Sequence, residues 1–381
     1  MALKNGKFTG TIIRMQYVPR WSEFAPRFED SAASHSFRCA AISILVGIIE
    51  EKLLGNPVDR LQLLSRSLWA DLRNTGTGSI KHVTKKDSIV AEHIAALELE
   101  ISKDIVSYLS RSLQPFAYDY IVHPQDDSYV GRLVNAIDTF DALIYCHREA
   151  EYDSNPFFKA KYKELLDKAS ATKIPSMKWL IDEYNKKAEI YEFLGYILNL
   201  DTVKRWNGSF NLVPDNDATH SFRAASLALF NGLLERERFG VRSFDLFRLV
   251  AKTVLHDLPE IVSGDVVSNF KHTSPEMSKA FERYERETAE SMIGKLPAFF
   301  HDDLLDFMVD SKSSDYEGEM VDIADKLDAL IKANLEMRNN PHYGETYYQQ
   351  LNKIQHNFEN PCVIFFLAYI LHDLTYANLI K

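Results

Sequence analysis

The chain has 381 residues, of which 46% are hydrophobic and 26% charged, a balance typical of soluble globular proteins and too apolar for extended disorder. This length is enough for two or three ordinary domains. The formal net charge of −10, with no basic arm or lysine-rich tail, disfavours duplex nucleic acid as a partner.

The cysteines and the first residues indicate the compartment. Cys39, Cys146 and Cys362 are odd in number and far apart, so they form neither a disulfide framework nor a CxxC pair, and a reducing compartment fits them best. No apolar segment follows the basic first residues, which argues against secretion. The longest apolar run, residues 363–371, is too short to cross a bilayer. We therefore expect a cytoplasmic protein without a membrane partner.

The chain contains an internal repeat. Three segments near the N-terminus recur in the second half at a constant offset of 185 residues (220−35). They are a Phe-x-Gly triplet at 8–10 and 193–195, an Arg-Trp pair at 20–21 and 205–206, and a (Ser/Thr)-His-Ser-Phe-Arg run at 34–38 and 219–223. Two later segments also recur: residues 69–72 match 255–258 at an offset of 186, and residues 138–143 match 325–330 at an offset of 187. Such matches in the same order indicate a duplicated domain.

The local patterns are mostly helical. Apolar residues recur every three or four positions in residues 221–235, and the same period continues in residues 244–258 and 321–335. Alternating runs rich in Val, Ile and Thr are scarce, which disfavours extended sheet. We therefore predict an all-α protein of two tandem helical-bundle domains, residues 1–180 and 181–381. The charged segment 153–174 is interpreted as a linker or a connecting helix near the boundary.

Four residues of the second half have the chemistry of a metal-binding set. His220, His256, Asp257 and Asp325 offer two imidazoles and two carboxylates, a donor set suited to Mn²⁺, Co²⁺, Fe²⁺, Zn²⁺ or Mg²⁺. Their wide spacing means that they converge from three different helices of a bundle. Neighbouring helical residues point about 100° apart, so His256 and Asp257 reach one ion only near a helix end or a widened turn. Pro259 favours such a break.

The surroundings of this His-Asp pair distinguish it from two others in the chain. His301–Asp302 and His372–Asp373 are interpreted as structural, one near a helix start and one at the end of an apolar helix. After His256, by contrast, several residues could face an ion or a ligand: Glu260 one turn on, then Gly264 as a helix end, then Asp265, Ser268 and Lys271 on the following loop.

The order His…His-Asp…Asp resembles the signature of the HD superfamily of phosphohydrolases. Together with Arg205–Trp206 and the run from His256 to Asp265, it is similar to the YfbR-like 5′-deoxynucleotidases, well over residues 190–345 and more weakly over residues 5–150. Two departures affect the substrate rather than the metal: Thr219 stands where the family has glutamate, and the loop after Asp265 reads Val-Val-Ser-Asn instead of Leu-Pro-Thr-Pro.

The resemblance implies roles for these residues. One divalent metal would be held by His220, His256, Asp257 and Asp325. Glu260 would be catalytic, with Asp265 as a second group for proton transfer. The substrate contacts implied are Arg205 and Trp206 around the phosphate, and the loop from Asp265 to Ser268, with Lys271 beyond it, near the nucleoside. A tryptophan at position 206 that only fills the core, and an arginine at position 205 that only lies on the surface, are the structural alternatives.

The first half is a degenerate copy. It keeps Arg20, Trp21, His35, Asp71 and Asp138, but has Ala70, Asn74 and Ser79 at the positions of the second histidine, the glutamate and the loop aspartate. We expect it to be catalytically inactive, with a weak metal or phosphate site less favoured than a purely structural role. Because the resembled enzymes are homodimers, the first half is expected to act as a built-in partner, giving a pseudo-dimer within one chain.

The predicted function is hydrolysis of (deoxy)nucleoside 5′-monophosphates to nucleoside and phosphate. A triphosphohydrolase acting on dNTPs is the nearest alternative, and a non-catalytic regulator that binds metal and nucleotide is the alternative from another class. The presence of both Glu260 and Asp265 favours an enzyme, because a sensor does not need acid–base groups. The monomeric pseudo-dimer and a homo-oligomer both remain open.

Overall fold

The computed structural model describes residues 5–78, 80, 90–152, 155–265 and 273–374. Regular structure within these residues is almost entirely helical, and the strands β1 (Pro19–Arg20) and β2 (Asp30–Ser31) form one short antiparallel pair. The all-α prediction is confirmed.

The described helices fall into two similar series. The first half contains α1 (Asn5–Arg14), α2 (Ala32–Ile48), α3 (Arg60–Trp69), α4 (Asn74–Thr77), α5 (Ala91–Ser107), α6 (Gln114–Ala117), α7 (Tyr129–Tyr152), α8 (Pro156–Ser170) and α9 (Pro175–Asn185). The second half contains α10 (Glu189–Asn199), α11 (Asp217–Leu233), α12 (Leu246–Leu255), α13 (Glu260–Ser263), α14 (Pro275–Gly294), α15 (His301–Leu304), α16 (Tyr316–Glu336), α17 (Tyr343–Asn357) and α18 (Pro361–Phe365).

The duplication seen in the sequence extends to the bounds of the helices. Helices α2 and α11 are offset by 185 residues at both ends (217−32 and 233−48), and each continues into a π-helical turn, Ile49–Leu53 or Leu234–Arg238. The same correspondence relates α3 to α12 at 186 residues and α8 to α17 at 187. The charged segment after residue 153 is therefore mostly helix α8, an element of the first repeat.

The division at residue 180 stays a prediction, and the helices suggest where to place it. Helix α9 occupies the same place in the first repeat as residues 361–373 do in the second, and α10 occupies the place of α1. We propose that the repeats meet between residues 185 and 189.

The two halves share one hydrophobic core. Helices α2 and α11 pack against each other at its centre, and every residue of both helices is buried. The segment Ala32–Leu53 is long and apolar enough to cross a bilayer by length and composition, but its apolar 18-residue window is wholly buried here, as in the core helix of a globular protein. The first helix of each half packs on the other half, α1 against α11 and α10 against α2.

Local sequence explains where the two central helices begin. The side-chain oxygen of Ser31 accepts a hydrogen bond from the Ser34 N–H at 3.1 Å, and Asn216 accepts one from the Thr219 N–H at 2.9 Å. These N-cap contacts satisfy amide groups that the first helical turn leaves without partners. As a result, His35 and His220 lie at the same depth, one turn inside their helices.

Candidate metal centre and active site

The first turn of α11 positions His220. Thr219 stands where the resembled family has glutamate, and it completes a capping box: its Oγ1 accepts from the Asn216 N–H at 3.3 Å while Asn216 accepts from the Thr219 N–H. Thr219 also donates to Asp215 Oδ1 at 2.9 Å. The threonine therefore performs the capping function that a glutamate or glutamine commonly performs at this position.

His256 and Asp257 lie directly beyond the end of a helix. Helix α12 ends at Leu255, and residues 256–259 form a turn before α13 begins at Glu260. The expected break at Pro259 is thus present. The turn lets both side chains point toward His220, which neighbouring residues of a continuous helix would not do.

The four predicted ligands converge. His220 Nε2 lies 3.3 Å from Asp257 Oδ2 and 3.4 Å from Asp325 Oδ1, and His256 Nε2 lies 3.2 Å from Asp257 Oδ1. Candidate ligand atoms of His220, His256 and Asp325 all lie within 4.8 Å of one another. They come from α11, from the turn after α12 and from α16, the three separate elements that the spacing predicts.

The other nitrogen of each imidazole is occupied by an acceptor. His220 Nδ1 contacts Asp328 Oδ2 at 2.8 Å, and His256 Nδ1 contacts the Thr253 carbonyl oxygen at 2.8 Å. Both acceptors favour a proton on Nδ1, which leaves the Nε2 lone pairs directed into the cluster. Arg223 holds Asp328 in place by donating to both of its oxygens, at 2.7 and 2.8 Å.

These residues fit a divalent metal. Nε2 of His220 and Nε2 of His256 are buried, and neither has a hydrogen-bond partner among the described residues. A buried polar atom without a partner is costly, and two of them facing two carboxylates form a set of ligands suited to a cation. Nitrogen and oxygen donors of this kind suit the first-row divalent ions and Mg²⁺.

The electrostatics keep the carboxylates ionised. Burial opposes ionisation of Asp325, but Lys312 and His220 outweigh it and hold the pKa of Asp325 well below its usual range. Burial also lowers the pKa of His256, which favours the neutral imidazole that binds metals. For His220 burial acts in the same direction, but the surrounding aspartates raise the pKa of its imidazole. The negative field that attracts a proton there also attracts a metal cation.

The predicted phosphate-binding pair lies beside this cluster. Arg205 donates to Asp217 Oδ1 at 3.0 Å and to Asp257 Oδ2 at 3.1 Å, so it contacts one of the candidate ligands directly. Trp206 is half-buried, has a left-handed backbone with φ of 62°, and packs against Tyr343 with ring centroids 5.8 Å apart. Backbone strain of this kind persists only where the surroundings enforce it.

The predicted acid–base residues also lie close by. Candidate ligand atoms of Glu260, Asp257 and Asp217 lie within 4.8 Å of one another. Burial lowers the pKa of the Arg205 guanidinium, but the negative charges around it outweigh burial and raise that pKa well above its usual value. Asp257 and Asp217 contribute most to this rise, and Asp265 contributes as well. Ser268 and Lys271 lie outside the described residues.

The sequence interpretation missed two residues at this site. Asp217 is fully buried between Arg205 and Asp257, and burial raises the pKa of its carboxyl group to about 7. Lys312, in the loop before α16, donates to Asp325 Oδ2 at 2.5 Å. The repeat itself carried a signal for Asp217, because the equivalent position of the first copy is Ala32.

The first half keeps the framework of the site and loses part of its chemistry. His35 Nδ1 lies 2.6 Å from Asp141 Oδ2, and Arg38 bridges Asp141 and Asp30, as Arg223 bridges Asp328 and Asp215 in the second half. His35 Nε2 lies 3.0 Å from Asp138 Oδ1 and 3.4 Å from Asp71 Oδ2. The positions of His256 and Glu260 are taken by Ala70 and Asn74, which offer neither an imidazole nor a carboxylate.

Comparison with known proteins assigns the class and then the family. The family model described as "5′-deoxynucleotidase YfbR-like" matches the chain twice, over residues 7–188 and 192–374. This match over both repeats makes the all-α chain an HD-type phosphohydrolase, and so an enzyme. The chain belongs to the YfbR-like 5′-deoxynucleotidase family, and both repeats match its model.

Individual relatives are distant. A 5′-deoxynucleotidase of Vibrio vulnificus is 24% identical over 145 residues, which are 38% of this chain and 74% of the relative. One of Shewanella oneidensis is 22% identical over 180 residues, covering 47% of this chain and 92% of the relative. An HD-domain phosphohydrolase of Listeria innocua has a solved structure with 26% identity and a TM-score of 0.45, covering 49% of this chain and 89% of that one.

Proposed function

We propose that the second half of the chain hydrolyses (deoxy)nucleoside 5′-monophosphates to nucleoside and phosphate. The observation that carries this proposal is the pair of buried Nε2 atoms of His220 and His256, which lack hydrogen-bond partners among the described residues and face Asp257 and Asp325. Names of the relatives support the substrate class, because the two matching proteins described above are 5′-deoxynucleotidases.

The metal would be held by His220, His256, Asp257 and Asp325. When bound, a divalent ion at such a site lowers the pKa of water toward neutrality and neutralises charge on phosphoryl oxygens. The donor set is compatible with Mn²⁺, Co²⁺, Fe²⁺, Zn²⁺ or Mg²⁺. Asp328 and the Thr253 carbonyl orient the two imidazoles for this role.

Arg205 and Trp206 would bind the phosphate end of the substrate. The guanidinium of Arg205 is held between Asp217 and Asp257, so it lies next to the metal ligands. From this position its N–H groups can donate hydrogen bonds to phosphoryl oxygens. The half-buried Trp206 would pack against the substrate at the same edge. Contacts of the loop residues Asp265, Ser268 and Lys271 with the nucleoside remain predictions.

Glu260 and Asp265 would handle the protons of the reaction. The oxygen of water bonds to phosphorus as the bond from phosphorus to the 5′-oxygen breaks. Glu260 accepts a proton from the water, and Asp265 donates a proton to the leaving 5′-oxygen. Glu260 is half-buried within 4.8 Å of ligand atoms of Asp257, a suitable position for a general base.

The first half would then serve as the internal partner of the catalytic half. It lacks the second histidine and the glutamate but supplies the surface on which α11 packs. We propose a cytoplasmic enzyme whose partner is the nucleotide substrate, without duplex nucleic acid or a membrane, as a monomeric pseudo-dimer or a homo-oligomer. Free, buried cysteines fit the reducing compartment.

The decisive experiment is a panel of nucleoside mono- and triphosphates with Mn²⁺, Co²⁺, Mg²⁺ or Zn²⁺. The His256→Ala variant should lose phosphate release and metal at the second-half site, whereas His372→Ala, which removes the exposed histidine of another His-Asp pair, should behave as wild type. Release of triphosphate from dNTPs would establish the triphosphohydrolase alternative. Tight nucleotide binding without product under any metal would establish the regulator, and full activity of His256→Ala would refute the site.

A further inference from the structure

The degenerate first half contains a sulfur atom where the second half has none. Cys39 lies one helical turn after His35 on α2, and the equivalent residue on α11 is Ala224. Candidate ligand atoms of His35, Cys39 and Asp138 all lie within 4.8 Å of one another. The repeat has therefore lost an imidazole at position 70 and gained a thiol on another side of the same cluster.

The distances in this cluster suit a tetrahedral ion. His35 Nε2 lies 3.0 Å from Asp138 Oδ1, 3.4 Å from Asp71 Oδ2 and 3.7 Å from Cys39 Sγ. Zinc bonds of about 2.0–2.2 Å to nitrogen and oxygen and about 2.3 Å to sulfur place ligand atoms roughly 3.3–3.6 Å apart in a tetrahedron. Sγ also lies 3.7 Å from Nδ1, so it lies beside the ring, and binding of the ion would require a different Cys39 side-chain rotamer.

We propose that the first half binds a structural zinc ion through His35, Cys39, Asp71 and Asp138. Thiolate and imidazole together favour Zn²⁺ over Mg²⁺ or Ca²⁺. Four protein ligands close the coordination sphere, so no position is left for water or substrate, as is typical of a structural rather than a catalytic zinc site. The absence of a glutamate at Asn74 agrees with a site that carries out no proton transfer.

The surroundings of the cluster support an ion at this place. His35 Nδ1 contacts Asp141 at 2.6 Å, which directs the Nε2 lone pair into the cluster, as Asp328 does for His220. Three anionic ligands around one Zn²⁺ leave a net charge of −1, and the guanidinium of Arg20, 3.7 Å from Asp71 Oδ2, offsets it. On binding, the S–H bond of Cys39 breaks, its proton passes to solvent, and the Zn–S bond forms.

Cobalt substitution tests the proposal on the intact chain. The chain is purified without metal and titrated with Co²⁺, and its absorption spectrum is recorded. Thiolate bound to Co²⁺ gives an intense near-ultraviolet charge-transfer band, which the second-half site cannot produce because it contains no sulfur. We expect this band in the wild type, its loss in Cys39→Ala, and one bound zinc fewer per chain in that variant.

Matched variants separate this site from the catalytic one. Cys39→Ala restores the alanine that the second half carries at Ala224, and a thermal unfolding curve checks that the variant folds. His256→Ala should keep the cobalt band while losing phosphate release, and Cys146→Ala should keep both. A wild-type protein without the band, or a band that persists in Cys39→Ala, overturns the proposal, and neither result bears on hydrolysis in the second half.

Discussion

At the scale of single residues, the two copies differ at three positions beside the first histidine and the His-Asp pair. The second half has an imidazole, a general-base candidate and a buried acid where the first half has small or neutral side chains: His256 for Ala70, Glu260 for Asn74 and Asp217 for Ala32. The supporting residues are the same in both halves, since an arginine bridges two aspartates beneath each first histidine. The framework that orients a ligand was thus retained in the copy that lost the acid–base groups.

Replacing the proposed general base should slow the reaction without removing the metal. Glu260→Gln keeps the size of the side chain but cannot accept a proton, so kcat should fall on the order of 10²–10⁴-fold. Phosphate release and bound metal are measured on the same sample. The control is Asn74→Asp at the equivalent position of the first half, which should leave kcat unchanged. Equal loss of metal and activity in Glu260→Gln would mean that Glu260 is a ligand instead.

Removing the arginine next to the ligands should weaken recognition of the phosphate. Hydrogen bonds to charged groups contribute about 1.5–3 kcal/mol, so Arg205→Gln should lower kcat/KM roughly tenfold to a hundredfold. Steady-state kinetics on a nucleoside monophosphate provides the measurement, and Arg20→Gln, its twin in the first half, is the matched control. If both variants reduced kcat/KM equally, the assignment of Arg205 to the substrate would be wrong.

At the scale of elements, the ends of helices decide which side chains can meet. Helix α12 begins after Asp245 and ends at Leu255, so the His256–Asp257 pair stands on a turn rather than on a helix face. This arrangement follows from sequence signals, an N-cap aspartate at one end and Pro259 beyond the other. The equivalent helix α3 begins after Asp59 and ends at Trp69, although its copy of the pair is incomplete.

The two N-cap aspartates should contribute similarly to stability. Asp245 Oδ1 accepts from the Arg248 N–H at 3.1 Å, and Asp59 Oδ1 accepts from the Gln62 N–H at 2.9 Å. Asp245→Ala and Asp59→Ala should each lower the free energy of unfolding by about 1 kcal/mol, because each leaves a helical amide without its cap. Urea denaturation measures both. A loss well below this size in either variant would show that the cap contributes little there.

At the scale of the whole molecule, an arginine of each half contacts a side chain of the other half. Asp201 of the second half accepts two hydrogen bonds from Arg148 at 3.0 Å each, and both side chains are buried. The residue equivalent to Asp201 in the first half is Gln16, which accepts a hydrogen bond from Arg223. Arg223 in turn holds Asp328 and, through it, His220. The first half is therefore connected to a proposed metal ligand through a chain of three contacts.

Breaking the buried ion pair between the halves should destabilise the whole chain. Arg148→Met leaves Asp201 buried without its main partner, which should cost about 3–5 kcal/mol. Thermal unfolding should remain a single transition at a lower temperature, because both halves share one core. The control is Arg283→Ala, whose exposed pair with Glu287 should contribute about 0–1 kcal/mol. Two separate transitions in the wild type would contradict a shared folding unit.

Much of this protein was predictable from sequence because the relevant signals are local or covalent. Helical periodicity, N-caps and prolines act within a few residues of themselves, and a duplication leaves constant offsets along the chain. These signals were sufficient for the all-α fold and the tandem repeat. The donor chemistry of His220, His256, Asp257 and Asp325 nominated them as one set, and the resemblance of their order and flanking motifs to a known family supplied the family.

Only the tertiary structure decided which other side chains join them. Asp217 and Lys312 have no motif of their own, and each matters because the fold brings it close to a candidate ligand, Asp217 to Asp257 and Lys312 to Asp325. Cys39 lies one turn from His35 on the same helix, but only the packing of α7 on α2 brings Asp138 close to both. The pairing of Arg148 with Asp201 depends in the same way on how the two halves dock. Proximity between distant parts of a chain is set by the sum of many packing contacts, so no short pattern in the sequence encodes it.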